Sequence, residues 1–125
     1  VKLTPVLFVD AIEPSLPFWV ERLGFEKTAE VPEGDRLAFV ILRHGAAEVM
    51  LETKAAAIGD VGNHAALDAT VSLYIEVDDF AATRPRIEGL PVTMPERVAF
   101  YGMREIGVQE PGGHFVTLAA REAGA

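Results

Sequence analysis

A chain of 125 residues, half of them apolar and 24% charged, is long enough for one domain with a real core. Its formal net charge of −8 opposes binding to nucleic acid, whose phosphates would repel it. It has no cysteine, which excludes disulfides, thiolate catalysis and Cys-based zinc or iron–sulfur sites.

No apolar run approaches the roughly 20 residues that span a bilayer, and no secretory leader is read at the start, so a soluble, cytoplasmic protein is expected. The acidic balance serves solubility or supplies a field that attracts a cationic small molecule.

In chain order, "VLFV" (6–9) reads as a short strand buried on both faces, ended by Asp10. Pro14 suits a first helical turn, Pro17 weakens the helix, and Leu16, Trp19, Val20 and Leu23 recur at helical spacing up to a stop at Gly24. "RLAFVILRHGAAEVMLET" (36–53) predicts two strands around a turn at His44–Gly45. "KAAAIGDVGNHAALDA" (54–69) reads as a linker with room for a short helix.

"TVSLYIEVDDF" (70–80) alternates Leu73, Ile75 and Val77 with Ser72, Tyr74 and Glu76, one face packed and one polar. Asp78 or Asp79 is placed to cap a helix over "FAATRPRIEGL" (80–90), with Pro85 awkward inside it and Gly89 as its stop. "REIGVQ" and "HFVTLAA" then flank the turn "EPGGH" (110–114). Each half thus runs strand, helix, several strands. "FVDAI" lies over "EVDDF" and "EVMLE" over "FVTLA", which matches Thr4 to Ser72 and Met50 to Thr117 at a period of about 68 residues.

With "TPVLFVDAIEPSLPFWVERLGFE" and "YGMREIGVQEPGGHFVTL" in this order, the chain resembles the vicinal oxygen chelate superfamily, the glyoxalase/bleomycin-resistance/dioxygenase fold. The resemblance implies an α+β fold of two tandem βαβββ modules whose curved mixed sheets enclose a pocket. The modules fall at about 1–53 and 70–121, with a linker at about 54–69. Metal-dependent members place His, Gln or Glu on the inner face of each module's first and last strands. Those slots fall here on Thr4, Met50, Ser72 and Thr117, none a good ligand for hard or borderline divalent ions. Thr117 is thus a small hydroxyl where many relatives carry a metal-binding Glu.

Other carboxylates are two-sided. Glu48 and Glu52 share a face with Met50 and are read first as strand-end groups in water, with chelation as the alternative. Glu76 shares a face with Ser72 and Tyr74, and either faces the pocket or lies in water. His44, His64 and His114 fall in turns or the linker; His114 alone stands where a pocket rim is plausible, and it is read first as a surface residue. No hydrolase, phosphate-loop or HExxH motif is present.

The expected ligand-binding set is Phe39, Met50, Ser72, Tyr74, Glu76, Phe100, Tyr101 and Thr117, against the plainer reading that the large ones fill the sheet interior. Trp19 is expected in the core. The favoured function is metal-independent sequestration of a cationic or aromatic small molecule, similar to the antibiotic-binding bleomycin-resistance branch, by a homodimer that needs neither nucleic acid nor membrane. No cofactor is expected, a divalent metal being the alternative left open. The second reading is a glyoxalase- or dioxygenase-like enzyme with an atypical site, for which Glu76 and Tyr74 are the weak catalytic candidates. The third is a structural or regulatory module with a vestigial pocket.

Overall fold

The computed structural model describes residues 1–59 and 64–122. It divides into two compact units, Val1–Thr70 and Val71–Ala125. The first contains β1 (Val6–Val9), β2 (Glu26–Glu33), β3 (Arg36–His44) and β4 (Ala47–Thr53); the second contains β5 (Ser72–Glu76), β6 (Val92–Val98), β7 (Met103–Gln109) and β8 (Phe115–Arg121). Each unit forms one mixed sheet, ordered β1-β4-β3-β2 and β5-β8-β7-β6. In both, the first strand runs parallel to the last and the other pairs are antiparallel. The α+β fold with its tandem βαβββ order is therefore present.

The repeat holds at the level of register. Val6, Met50 and Ile41 form one row across the first sheet, and Tyr74, Thr117 and Gly107 the matching row across the second. Met50 and Thr117 are thus topological equivalents, as the sequence alignment predicts.

In the first unit the buried face carries Leu7, Val9, Val40, Leu42, Val49 and Leu51, and Ile12, Phe18, Trp19 and Phe25 are buried as well. Alternation explains this: every second strand residue faces the core, and burying each large aliphatic side chain contributes about 1.5–3 kcal/mol. β1 departs from its expectation. Leu7 and Val9 are buried while Val6 is exposed and Phe8 half-buried, so the strand packs one face only.

The predicted first helix is also corrected. It becomes a 3₁₀ turn (Glu13–Ser15) followed by a wide π turn (Pro17–Arg22). Pro14 and Pro17 each lack an N–H, so regular i→i−4 bonding cannot propagate through the first turns. The Leu23 N–H donates instead to the Phe18 carbonyl at 3.1 Å, and the Phe25 N–H to that of Trp19 at 2.9 Å. The wider coil turns Phe18 and Trp19 inward and leaves Val20 exposed, where 3.6-residue spacing expects Leu16 and Val20 in the core. Gly24, at φ +79°, ends the segment in the left-handed region that disfavours side chains.

The linker holds α1 (Lys54–Ala57), capped by the Thr53 hydroxyl accepting from the Ala56 N–H, and a 3₁₀ turn over His64–Asp68. The His64 side chain lies outside the described residues. In the second unit the Asp79 carboxylate caps α2 (Phe80–Thr83), which Pro85 converts to a 3₁₀ turn (Arg84–Ile87). Ile87, Ile106, Val108, Val116 and Leu118 are all buried in the core of this unit.

β2 and β6 are edge strands, and every residue of β2 is exposed. Each of these two edge strands, unlike β1 and β5 at the opposite edges, is broken by two register shifts and carries a proline, Pro32 or Pro95. The β6 irregularity dictates a residue in β7. A Cβ on Gly107 would lie 2.9 Å from the Met94 Cβ and 3.3 Å from the Met94 backbone nitrogen. Gly107→Ala is expected to cost about 1–3 kcal/mol in urea unfolding. Gly59→Ala, with nothing within 4 Å of its added methyl, should stay within about 0.5 kcal/mol. Equal effects of the two changes would refute the close approach.

Among the described residues no helix is long and apolar enough to cross a membrane.

Candidate functional site

Opposite its packed side, each sheet has a second, more open face. On the first sheet this face carries Phe39, Ile41, Met50 and Glu52, all half-buried. Glu48 shares it, but not as a strand-end group in water. Its side chain is only 10% exposed and holds Lys2 Nζ at 2.9 Å, the Thr4 hydroxyl at 3.0 Å and Arg43 Nε at 3.6 Å. The Lys2 hydrogen bond leads the causes that hold its carboxyl below the usual range.

On the second sheet the open face carries Ser72, Tyr74 and Glu76 from β5, Thr117 and Ala119 from β8, and Glu105 and Gly107 from β7. Glu105, which the sequence does not single out, organises this face. It is 1% exposed and sits across from Arg97 in β6. The Tyr74 hydroxyl donates to its Oε2 at 2.6 Å, the Tyr101 hydroxyl donates to the same oxygen, and Arg97 Nε donates to Oε1 at 3.1 Å. Burial alone would push the Glu105 carboxyl up; the bonds from Tyr101, Tyr74 and Arg97 outweigh it and hold the group below its ordinary value. Desolvation, reinforced by the Glu105 carboxylate, pushes the Tyr74 phenol well up. It therefore stays protonated and is a poor acid or base near neutrality.

The predicted residues divide accordingly. Tyr74 and Tyr101 meet at Glu105. Thr117 lies between Tyr74 and Gly107 in register, Ser72 beside Phe115, and Glu76 two strands from Glu105 with the small Ala119 between. Phe100 projects fully exposed from the β6–β7 turn, with its ring centroid 5.1 Å from that of Tyr101. Phe39 and Met50 belong to the first unit.

The implied metal does not fit the four slots. Thr4 spends its hydroxyl proton on Glu48, Met50 lies between Val6 and Ile41, and Ser72 and Thr117 offer neutral hydroxyls. Among the described residues no group of three or more His, Asp and Glu side chains is placed to hold an ion.

His114 corrects its surface reading, for it is buried. Its Nδ1 accepts the Val71 N–H at 3.0 Å, and its own backbone N–H donates to Glu110 Oε1 at 2.9 Å. A buried amide needs a partner, and this histidine supplies one at the entry to β5. An open depression of about 350 Å³ lies at the same hairpin, lined by Leu90, Pro91, Gln109, Glu110, Pro111 and Gly113. It does not coincide with the Glu105 cluster. Its one charged group, Glu110, is occupied by the backbone N–H groups of Gly112 and His114.

Residues 3–118 match the family described as Glyoxalase/Bleomycin resistance protein/Dioxygenase superfamily. Among solved structures, the chain is similar to TioX from Micromonospora sp. ML1 (TM-score 0.77, 17% identity, covering 97% of this chain and 98% of that one). It is also similar to a lactoylglutathione lyase from Agrobacterium tumefaciens (0.75, 17%, 96% and 92%). A third is the bleomycin-binding protein of bleomycin-producing Streptomyces verticillus, complexed with copper(II)-bleomycin (0.62, 26%, 98% and 97%). A comparison with curated protein sequences gives no significant match.

Proposed function

The chain belongs to the glyoxalase/bleomycin resistance protein/dioxygenase superfamily, and from that premise we propose that it is a small-molecule binding protein that sequesters a cationic or aromatic ligand without a metal. The observation that carries this reading is the polarity of the Glu105 cluster. Both phenol hydroxyls and Arg97 Nε donate to the carboxylate, so toward a ligand the two phenol oxygens can act only as acceptors. Tyr74, Phe100 and Tyr101 add exposed ring surface, which attracts cations through the ring quadrupole. The net charge of −8 favours the same ligands. The metal slots filled by Thr4, Met50, Ser72 and Thr117 cost a sequestering protein nothing. The similarity to a bleomycin-binding protein supports this reading. Assembly as a homodimer belongs to the same proposal, and light scattering at micromolar concentration checks it.

The enzyme reading draws on similarity to a lactoylglutathione lyase, but Thr4, Met50, Ser72 and Thr117 are poor ligands for a Lewis-acid metal, and Tyr74 is a phenol held protonated. A melting scan separates the two. Cationic aromatic compounds, bleomycin among them, should raise the melting temperature by an amount that grows with concentration and survives chelator; at 100 times Kd the gain is about 2.7 kcal/mol. Nickel, zinc, manganese and iron(II) should give no shift. Stoichiometric metal binding, or stabilisation by metal alone, would move the enzyme reading to first place.

A further inference from the structure

Two arginines of the second unit hold carboxylates in different ways. Arg104 uses its whole fork, donating from Nε and Nη2 to Glu122 at 2.7 and 2.9 Å and from Nη1 to Glu96 at 2.9 Å. Arg97 gives Glu105 one bond, from Nε at 3.1 Å, and has Tyr101 as its other side-chain partner; its side chain is 55% exposed. It stands on an edge strand with a register shift just before it, where its departure disturbs no packed core. Glu105 cannot leave, being buried and pinned by two phenols. A fixed, buried carboxylate is therefore covered by a half-exposed guanidinium on an edge strand.

We propose that Glu105 is the recognition site for a planar guanidinium or amidinium group on the ligand, and that Arg97 is the chain's own stand-in for it, a latch that swings aside on binding. The class follows from the present occupant. A guanidinium is delocalised and more weakly hydrated than an ammonium, so it loses less on leaving water, and its coplanar N–H groups reach neighbouring acceptors together. One N–H replaces that of Arg97 on Oε1, and a second meets a phenol oxygen, which can only accept because its proton is spent on Glu105. The exposed Tyr101 and Phe100 rings, tilted 31° to each other, then flank the rest of the ligand. The latch also imposes a cost: a site open only part of the time binds with an apparent affinity reduced by that fraction.

The inference rests on the sequestration reading, and its test separates the two. Benzamidine is titrated by calorimetry into the intact chain, Arg97→Ala, Glu105→Gln and the double variant, with benzylamine as the ammonium control. Removing the latch should tighten benzamidine binding about tenfold, and adding Glu105→Gln should abolish that gain. Should Arg97→Ala fail to fold, Arg97→Gln keeps an uncharged N–H near Glu105 and serves in its place. No gain on removing Arg97, a gain that survives loss of the carboxylate, or an equal gain for benzylamine would each overturn the proposal. If a cationic drug stabilises the intact chain indifferently to both residues, the latch falls and sequestration stands. If benzamidine behaves as expected but the cationic drugs give the intact chain no shift, the latch stands and drug sequestration falls.

Discussion

Trp19→Ala is expected to lower the unfolding free energy by about 3–5 kcal/mol, read as a reduced midpoint in guanidinium with an unchanged slope. Trp19 is 1% exposed and joins two edge-to-face contacts, to Phe18 at 5.1 Å and 86° and to Phe25 at 5.2 Å and 80°. Its removal opens a cavity in the first unit and breaks both ring contacts, each worth about 0.5–1.5 kcal/mol beyond area. Trp19→Phe should cost far less than the alanine change. The indole Nε1–H is buried with no hydrogen-bond partner among the described residues, so phenylalanine relieves an unmet donor while leaving a smaller gap. A loss under about 1 kcal/mol for the alanine variant would show that the wide turn does not anchor this core.

The second large effect is electrostatic. Glu105→Ala is expected to destabilise by about 2–3 kcal/mol near neutrality, the range for lost hydrogen bonds to a charged acceptor. It should sit below the cost of an orphaned buried charge, because Arg97 and both phenols can regain water. The pH dependence identifies the cause. The Glu105 carboxyl is held below its ordinary value near 4.5 in the folded chain. Its contribution is therefore fully present above that value and disappears as pH falls through the lower, folded one. Glu13, Glu48 and Glu122 are held low as well, so both proteins should weaken in acid. The gap between them isolates Glu105: constant from pH 7 to about 5, then narrowing. A gap that stays constant through the acid limb would mean that packing, not charge, sets the loss.

Much of the architecture is legible in the sequence because strand alternation is a local signal. Ser72, Tyr74 and Glu76 are written as one face and occur as one face, and the Met50–Thr117 match survives into register. Helical spacing misleads at Leu16 and Val20, since two prolines impose a wider coil whose inward residues no 3.6-residue template selects. Burial of β1 on one face alone escapes the reading of "VLFV", which offers no polar residue to mark the open side. Glu105 goes unseen for a different reason. A buried carboxylate is compensated by donors from elsewhere, and two of its three lie 31 and 8 residues away. Tyr74 and Tyr101 are both flagged; the missing step is that only β8 separates β5 from β7, which places Glu105 and Gly107 on the face of Tyr74. His114 is hidden similarly, because its partner is the Val71 amide, 43 residues distant.

The proline-interrupted edge strands have a consequence for the chain in a crowded cell. A straight, unpaired strand edge is a template for fibril growth, since any extended peptide can add to its free N–H and C=O groups. Here β2 and β6 each offer a shifted register, a residue without an N–H, and charged side chains such as Lys27, Glu30, Glu96 and Arg97. An incoming strand finds no continuous ladder to copy. Pro32→Val and Pro95→Val restore a donor to each edge and should shorten the lag of aggregation on gentle heating, at little cost in stability.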